Sequence, residues 1–417
     1  MSKKIKIFVI SDHPFSPSGV GIQTRYMIES LLKTGRFSFI CFGGAVKHKE
    51  YNPQRTKEWG DDLVIYPVDG YGTHEMVRSV LYTEKPDILW FMTDPRFFGW
   101  LWEIEDEIRS VIPTVYYHVW DNYPYPDYNK VWYDSTDHVA CISKVTHDIV
   151  QTVSPKVESI YLPHAVDTNI FRPLAIEERE ELRKNIGVEK DKFIIVWNSR
   201  NARRKQPGTL IFWFKEFLEK IGHDKAKLIM HTDPRDSNGP NLLAVINKLG
   251  LTNGEVQFST QKIEFEQMAA MYNCADITVS ISDAEGFGLS TLESLACATP
   301  IIVNMTGGLQ EQVTDGKEWF GVGIEPSSKA VIGSQDIPYI YEDRIGKDDF
   351  VNALLKMYEF TKEQRLEIGM KGRDHVMNNY NFDLYCKRWE DYLTYVHEKN
   401  GSWETRSGYE TWNIMEL

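Results

Sequence analysis

The 417-residue sequence holds only five cysteines, Cys41, Cys141, Cys274, Cys297 and Cys386, widely scattered and mostly in apolar or helical surroundings. An odd, dispersed set supports neither a disulfide framework nor a zinc site. Long hydrophobic runs are missing as well. None approaches the roughly 18 residues of a membrane helix, and MSKKIKIFVISDHP lacks the apolar stretch and cleavage site of a signal peptide. The expectation is a cytoplasmic protein with no membrane span. Positive charge is in deficit, with a formal net charge of -13, which disfavours a surface that tracks nucleic acid or anionic lipid throughout but allows a local basic patch. Repeats and low-complexity tracts are absent, and no Gly-x-Gly-x-x-Gly pattern is completed, which counts against a nicotinamide or flavin site.

What is present is an alternation. Apolar runs of strand length recur at 5–10, 37–42, 63–68, 88–92, 114–119, 138–142 and 157–162, mostly separated by helical periodicity such as 22–33 and 73–82. A second series follows at 193–197, 228–231, 256–258, 277–281, 301–304 and 320–324. Strands alternating with helices predict parallel sheets covered on both faces, so the fold class is α/β with two doubly wound, Rossmann-like domains. Between them LPHAVDTNIFRPL, 162–174, reads as a linker. The domains are expected at 1–165, joined by the aromatic tail 396–417, and at 166–395.

Two loops stand at predicted carboxyl ends of strands in the second series, where open α/β sheets bind ligands. SDAEGFGLSTLESLACATP, 282–300, sets Glu285 before a Gly-Phe-Gly turn and Glu293 after it. Glycines allow close approach to a ligand, and a following helix start offers N–H groups to an anion. Ser290 and Glu293 also fit a capping box, which would leave Glu293 a structural duty only. WNSRNARRK, 197–205, places four cations in six positions. It is either a solvated basic turn or a phosphate clamp in which Arg200 offers a planar fork and Lys205 a point charge.

The order Arg200, Lys205, then E-G-F-G-L-S-x-x-E at 285–293, P-I-I-V at 300–303 and G-G-L-Q-E-Q-V at 307–313 resembles the retaining family 4 glycosyltransferases of the GT-B fold, also called glycosyl transferases group 1. LPHAVDTNIFRP and Ser18-Gly19-Val20-Gly21 are similar to that family's interdomain segment and N-terminal glycine loop. Gln206, Ala165 and Leu309-Gln310 depart from its usual residues, and none of the three removes a charged ligand. The resemblance implies two Rossmann-like domains facing across a cleft and a hexosyl or pentosyl transfer from a nucleotide-diphosphate-sugar, UDP-sugar first and GDP-sugar second. By the same resemblance Arg200 and Lys205 would neutralise the diphosphate, Glu285 would hold the transferred sugar and Glu293 the ribose. Gly286, Phe287, Gly288, Leu289 and Ser290 would offer backbone groups to the donor, with Gly19 and Gly21 lining the cleft and His118 contacting the sugar. Neither a cofactor nor a metal is expected, because no Asp-x-Asp pair is present and the cations take that task.

For the acceptor, the stretch 118–134 is dense in rings and stiffened by proline, so Trp120 and Tyr123 are candidate stacking surfaces and Asp121 a polar ligand. The same rings could equally pack beneath their loop. Lys47, His48, Lys49, Arg55 and Lys57 supply a basic loop, which fits an anionic acceptor. A glycan, a small molecule, a lipid or a hydroxymethylated base in DNA remain open, with the net charge weighing against DNA. The rival functions are a nucleotide-sugar epimerase of the same architecture and a non-catalytic sugar-nucleotide-binding module.

Overall fold

The computed structural model describes residues 3–187 and 191–412. The chain divides into two compact units: Met1–Ala165 with Gln335–Ile337 and Phe382–Leu417, and Val166–Ser334 with Pro338–Asn381. Residues 413–417 of the expected aromatic tail lie outside the described residues.

The first unit is built on an eight-stranded sheet. Its order is Gln54–Arg55, Leu63–Pro67, Phe37–Gly44, Ile5–Asp12, Ile88–Met92, Thr114–His118, His138–Cys141 and Glu158–Tyr161. Every pairing is parallel except that of the short first strand. Runs such as Ile7 to Ile10 and Ile88 to Met92 are buried along their whole length, as a sheet covered on both faces requires.

The helix Phe382–Asn400 corrects the expected boundary at 395, because it belongs to the first unit. Its stripe of Tyr385, Trp389, Tyr392, Leu393 and Val396 recurs at helical spacing and needs a large apolar partner. Trp389 is fully buried against Trp90 and Tyr117, with ring centroids 5.7 and 4.9 Å away, and the Tyr385 hydroxyl donates to the Gln23 carbonyl at 3.1 Å. The following segment stays on this unit: Trp403 Nε1 donates to the Pro86 carbonyl at 2.8 Å and the Tyr409 hydroxyl to Asp106 at 2.6 Å.

The second unit carries six parallel strands in the order Val256–Ser259, Ala226–His231, Phe193–Asn198, Ile277–Ser280, Ile301–Asn304 and Gly321–Ile324. Trp197, Phe214, Phe217, Leu354 and Met357 fill its core. An antiparallel hairpin, Ser328–Ile332 with Ile340–Arg344, had no signal in the sequence, since its strands are short and almost none of their residues are buried. No helix among the described residues is long and apolar enough to cross a membrane.

Candidate functional site

The strand order of the second unit reverses between Phe193–Asn198 and Ile277–Ser280, which pair directly through Ile195 with Ile277 and Val196 with Thr278. Chains leaving neighbouring strands in opposite directions open a crevice at their carboxyl ends. The loops 199–206 and 281–288 meet there. Asp283 N–H donates to the Arg204 carbonyl at 2.8 Å, Gln206 Nε2 donates to the Asp283 carboxylate at 2.7 Å, and the Arg204 guanidinium donates to the Ala284 carbonyl. Lys205 forms an ion pair with Glu285, 80 residues away in sequence, and both side chains are largely buried. Burial alone would raise the Glu285 carboxyl, but the Lys205 and Arg204 charges hold it below its ordinary value.

The basic run is not a solvated turn, because each cation has its own partner. Arg203 grips the buried Glu342 through both terminal nitrogens. Arg200 is turned away from Lys205: its side chain is 67% exposed and paired with Asp236 at 2.7 Å. That carboxylate lies in the loop after the neighbouring strand Ala226–His231. Arg200 and Lys205 therefore share a sheet edge without converging on one point.

The capping box is not formed. The helix Leu289–Ala296 starts before Ser290, its N-cap is Gly288 at a φ of 94°, and no side chain caps it. Glycine adopts this left-handed conformation without penalty, so the turn runs straight into the helix and Ser290 falls inside it. Glu293 instead accepts from the Tyr272 hydroxyl at 2.8 Å. Burial raises its carboxyl to about 7, only partly offset by that hydrogen bond. The buried Phe287 ring packs edge-on to Tyr380 with centroids 5.7 Å apart, so it anchors the loop and leaves only its backbone to meet a ligand.

A pH dependence follows from Glu293. Its folded value lies above its unfolded one, so the folded state binds the extra proton between about 4.5 and 7. That stability is fully present at the acid end of the window and is lost as pH rises through 7, at no more than about 1.4 kcal/mol per pH unit. Buried Asp283, raised to about 6 by burial, adds a slope of the same sign. Glu293→Gln should flatten the melting temperature against pH across this window, and an unchanged profile would contradict the assignment.

The first unit treats its candidate residues differently. Gly21 N–H is already taken by the Ser18 hydroxyl at 3.0 Å, and a Cβ there would meet Ser16 Oγ at 2.2 Å and the His13 carbonyl at 2.8 Å. Gly21 is thus a packing glycine, whereas Gly19 is exposed at the helix start. Asp12 accepts from Ser18 and Tyr71, and Asp94 pairs with Arg96. His118 is corrected from a cleft-facing group to a core one. It is fully buried, one ring nitrogen bonded to the Tyr133 hydroxyl at 2.7 Å, and burial lowers it to about 3, so it is neutral. Trp120 is also buried, with its Nε1 on the Asn122 carbonyl and its ring against Tyr128, so it is not an open stacking face. Tyr123 and Tyr125 both donate to Asp148 at 3.0 Å, and Asp121 is partly exposed beside them. Sequence reasoning missed Tyr272, Asp283 and Asp236, whose importance arises only from contacts between distant loops.

Residues 178–353 match the family model of glycosyl transferases group 1. This matched stretch lies almost wholly in the second unit, which is therefore similar to glycosyl transferases group 1. D-inositol 3-phosphate glycosyltransferase 2 of Catenulispora acidiphila is 28% identical over 202 residues, covering 46% of this chain and 44% of that protein. Alpha-monoglucosyldiacylglycerol synthase of Streptococcus pneumoniae is 30% identical over 184 residues, 43% of this chain and 40% of that one. The chain thus spans less than half the length of these curated relatives. Among solved structures, sucrose-phosphate synthase from Thermosynechococcus elongatus superposes with a TM-score of 0.75 at 17% identity, covering 95% of this chain and all of that one. HepE of Anabaena, solved with UDP and glucose, gives 0.68 at 14% identity over 94% of this chain and all of its own. These likenesses establish the fold, that of the GT-B glycosyltransferases.

Proposed function

We propose that the protein is a retaining, metal-independent glycosyltransferase that moves a sugar from a nucleotide-diphosphate-sugar to a hydroxyl acceptor, with the donor bound at the switch point of the second unit. The observation that carries this reading is the buried Lys205–Glu285 pair beside a glycine turn and an uncapped helix start. Without ligand the two charges neutralise each other. A diphosphate draws Lys205 to itself and recruits the exposed Arg200 from Asp236, which frees Glu285 to accept hydroxyls of the transferred sugar. The amides of Gly286, Phe287, Gly288, Leu289 and Ser290 add donors for the phosphate and sugar. Glu293, about half protonated at pH 7, can both accept from and donate to ribose hydroxyls.

The bond broken joins the anomeric carbon to the phosphate oxygen, and the bond formed joins that carbon to the acceptor oxygen on the same face. The acceptor's proton passes to the departing phosphate, so no protein nucleophile is needed. Charge growing on the leaving nucleotide is met by fixed cations, and stabilisation of this kind usually lowers such a barrier more than any other effect. The relatives named glycosyltransferases support the reaction class, and HepE's complex with UDP and glucose supports UDP-sugars ahead of GDP-sugars. On the acceptor side Asp121 and Tyr123 are partly exposed, and the Tyr123 hydroxyl would have to leave Asp148 to meet a hydroxyl-bearing molecule.

Thermal-shift titration with UDP-, GDP-, ADP- and TDP-sugars tests this. A true donor at about 100 times its Kd stabilises by about 2.7 kcal/mol, and UDP-sugars are expected to raise Tm most. Stabilisation by none of them would overturn the donor site.

A further inference from the structure

We infer that Gln312 is a positioning residue that aims the amides of the Gly286–Gly288 turn at the donor diphosphate, an inference that rests on the donor-site reading above. Gln312 lies in the short helix Leu309–Val313 and is fully buried. A buried side-chain amide must find partners for its donors and its acceptor. Its Nε2 donates to the Phe287 carbonyl at 2.7 Å and to the Gly288 carbonyl at 3.1 Å, while its Oε1 accepts from the Thr291 hydroxyl at 2.7 Å.

The preceding glycine makes this approach possible. Gly308 N–H donates to the Glu285 carbonyl at 3.1 Å, and a Cβ on Gly308 would lie 2.6 Å from Phe287 Cα and 2.7 Å from the Gly286 carbonyl oxygen. The run Gly307 to Val313 is therefore the floor of the turn.

A trans peptide places its C=O and N–H on opposite sides. Holding the carbonyls of Phe287 and Gly288 down onto Gln312 turns the N–H groups of Gly288 and Leu289 away from it, at a helix start that no side chain caps. An apolar side chain of the same size would fill the space but remove the Gln312 donor from both carbonyls, of which that of Gly288 keeps the Thr291 hydroxyl and the Leu292 N–H.

Gln312→Met keeps the volume and removes the amide, while Gln312→Glu keeps the shape and sets an acceptor against two carbonyls. Affinities for UDP and uridine, and for GDP and guanosine, are measured on both variants and on the unaltered protein. The expected result is a loss of about tenfold or more for the diphosphate the protein binds, with its nucleoside held within about twofold, because ribose and base do not use these amides. Loosening of the whole domain would weaken nucleoside and diphosphate alike, so equal losses overturn the inference, as does no loss in either variant. If the unaltered protein binds neither diphosphate, the donor-site reading itself fails and the positioning role falls with it.

Discussion

Lys205→Ala is expected to lower kcat/KM for sugar transfer by about 10²- to 10³-fold, the scale seen when one preorganised donor to a developing anion is removed. Two effects combine. The departing diphosphate would lose a buried cation, and Glu285 is left in a desolvated pocket with the Arg204 charge alone to offset its burial. The second effect costs stability even without ligand, because a buried carboxylate that loses its ion-pair partner has less to offset its desolvation. The variant should therefore melt lower than the unaltered protein and gain little on adding a nucleotide-sugar. Lys205→Arg restores charge but offers a planar fork where a point charge fits, so only partial recovery is expected. Transfer by Lys205→Ala at the unaltered rate would remove Lys205 from the mechanism.

Glu285→Gln is expected to separate chemistry from nucleotide binding. Transfer should fall by about 10²-fold or more if, as proposed, this carboxylate orients the sugar. Affinity for the bare nucleoside diphosphate should hold or tighten, because Lys205 no longer has to leave an ion pair to reach phosphate. Glu293→Gln should do the reverse and weaken the nucleotide itself, as its place beside Tyr272 suits a ribose. Parallel titrations and initial rates on both variants decide the matter, and indistinguishable behaviour would refute the division of roles.

Much of this arrangement is legible along the chain. Fully apolar strand runs and intervening helical periods mark both sheets, because burial on two faces leaves no alternation to confuse the pattern. Gly286 and Gly288 announce a turn at a carboxyl edge, and at Gly288 the backbone is one that glycine adopts without penalty. The helix start reads differently in sequence and structure, since Ser290 and Glu293 have capping chemistry while Gly288 fixes the register by its φ. Glu293 is thereby released from the cap, and burial sets its proton affinity instead.

The elements, their order and the chemistry that each loop carries follow from the amino-acid order alone, because they depend on near neighbours in the chain. Which charges meet is settled by packing. Lys205 finds Glu285 while Arg200 goes to Asp236, four loop residues drawn together by strand order. His118, written at a strand end like the loops that bind, is enclosed by Tyr116 and Tyr133 and made neutral. The helix Phe382–Asn400 joins the first unit because its aromatic stripe fits Trp90 and Tyr117 there. Partner choice and burial are set by distances between residues far apart in the chain, and local sequence carries no record of those distances.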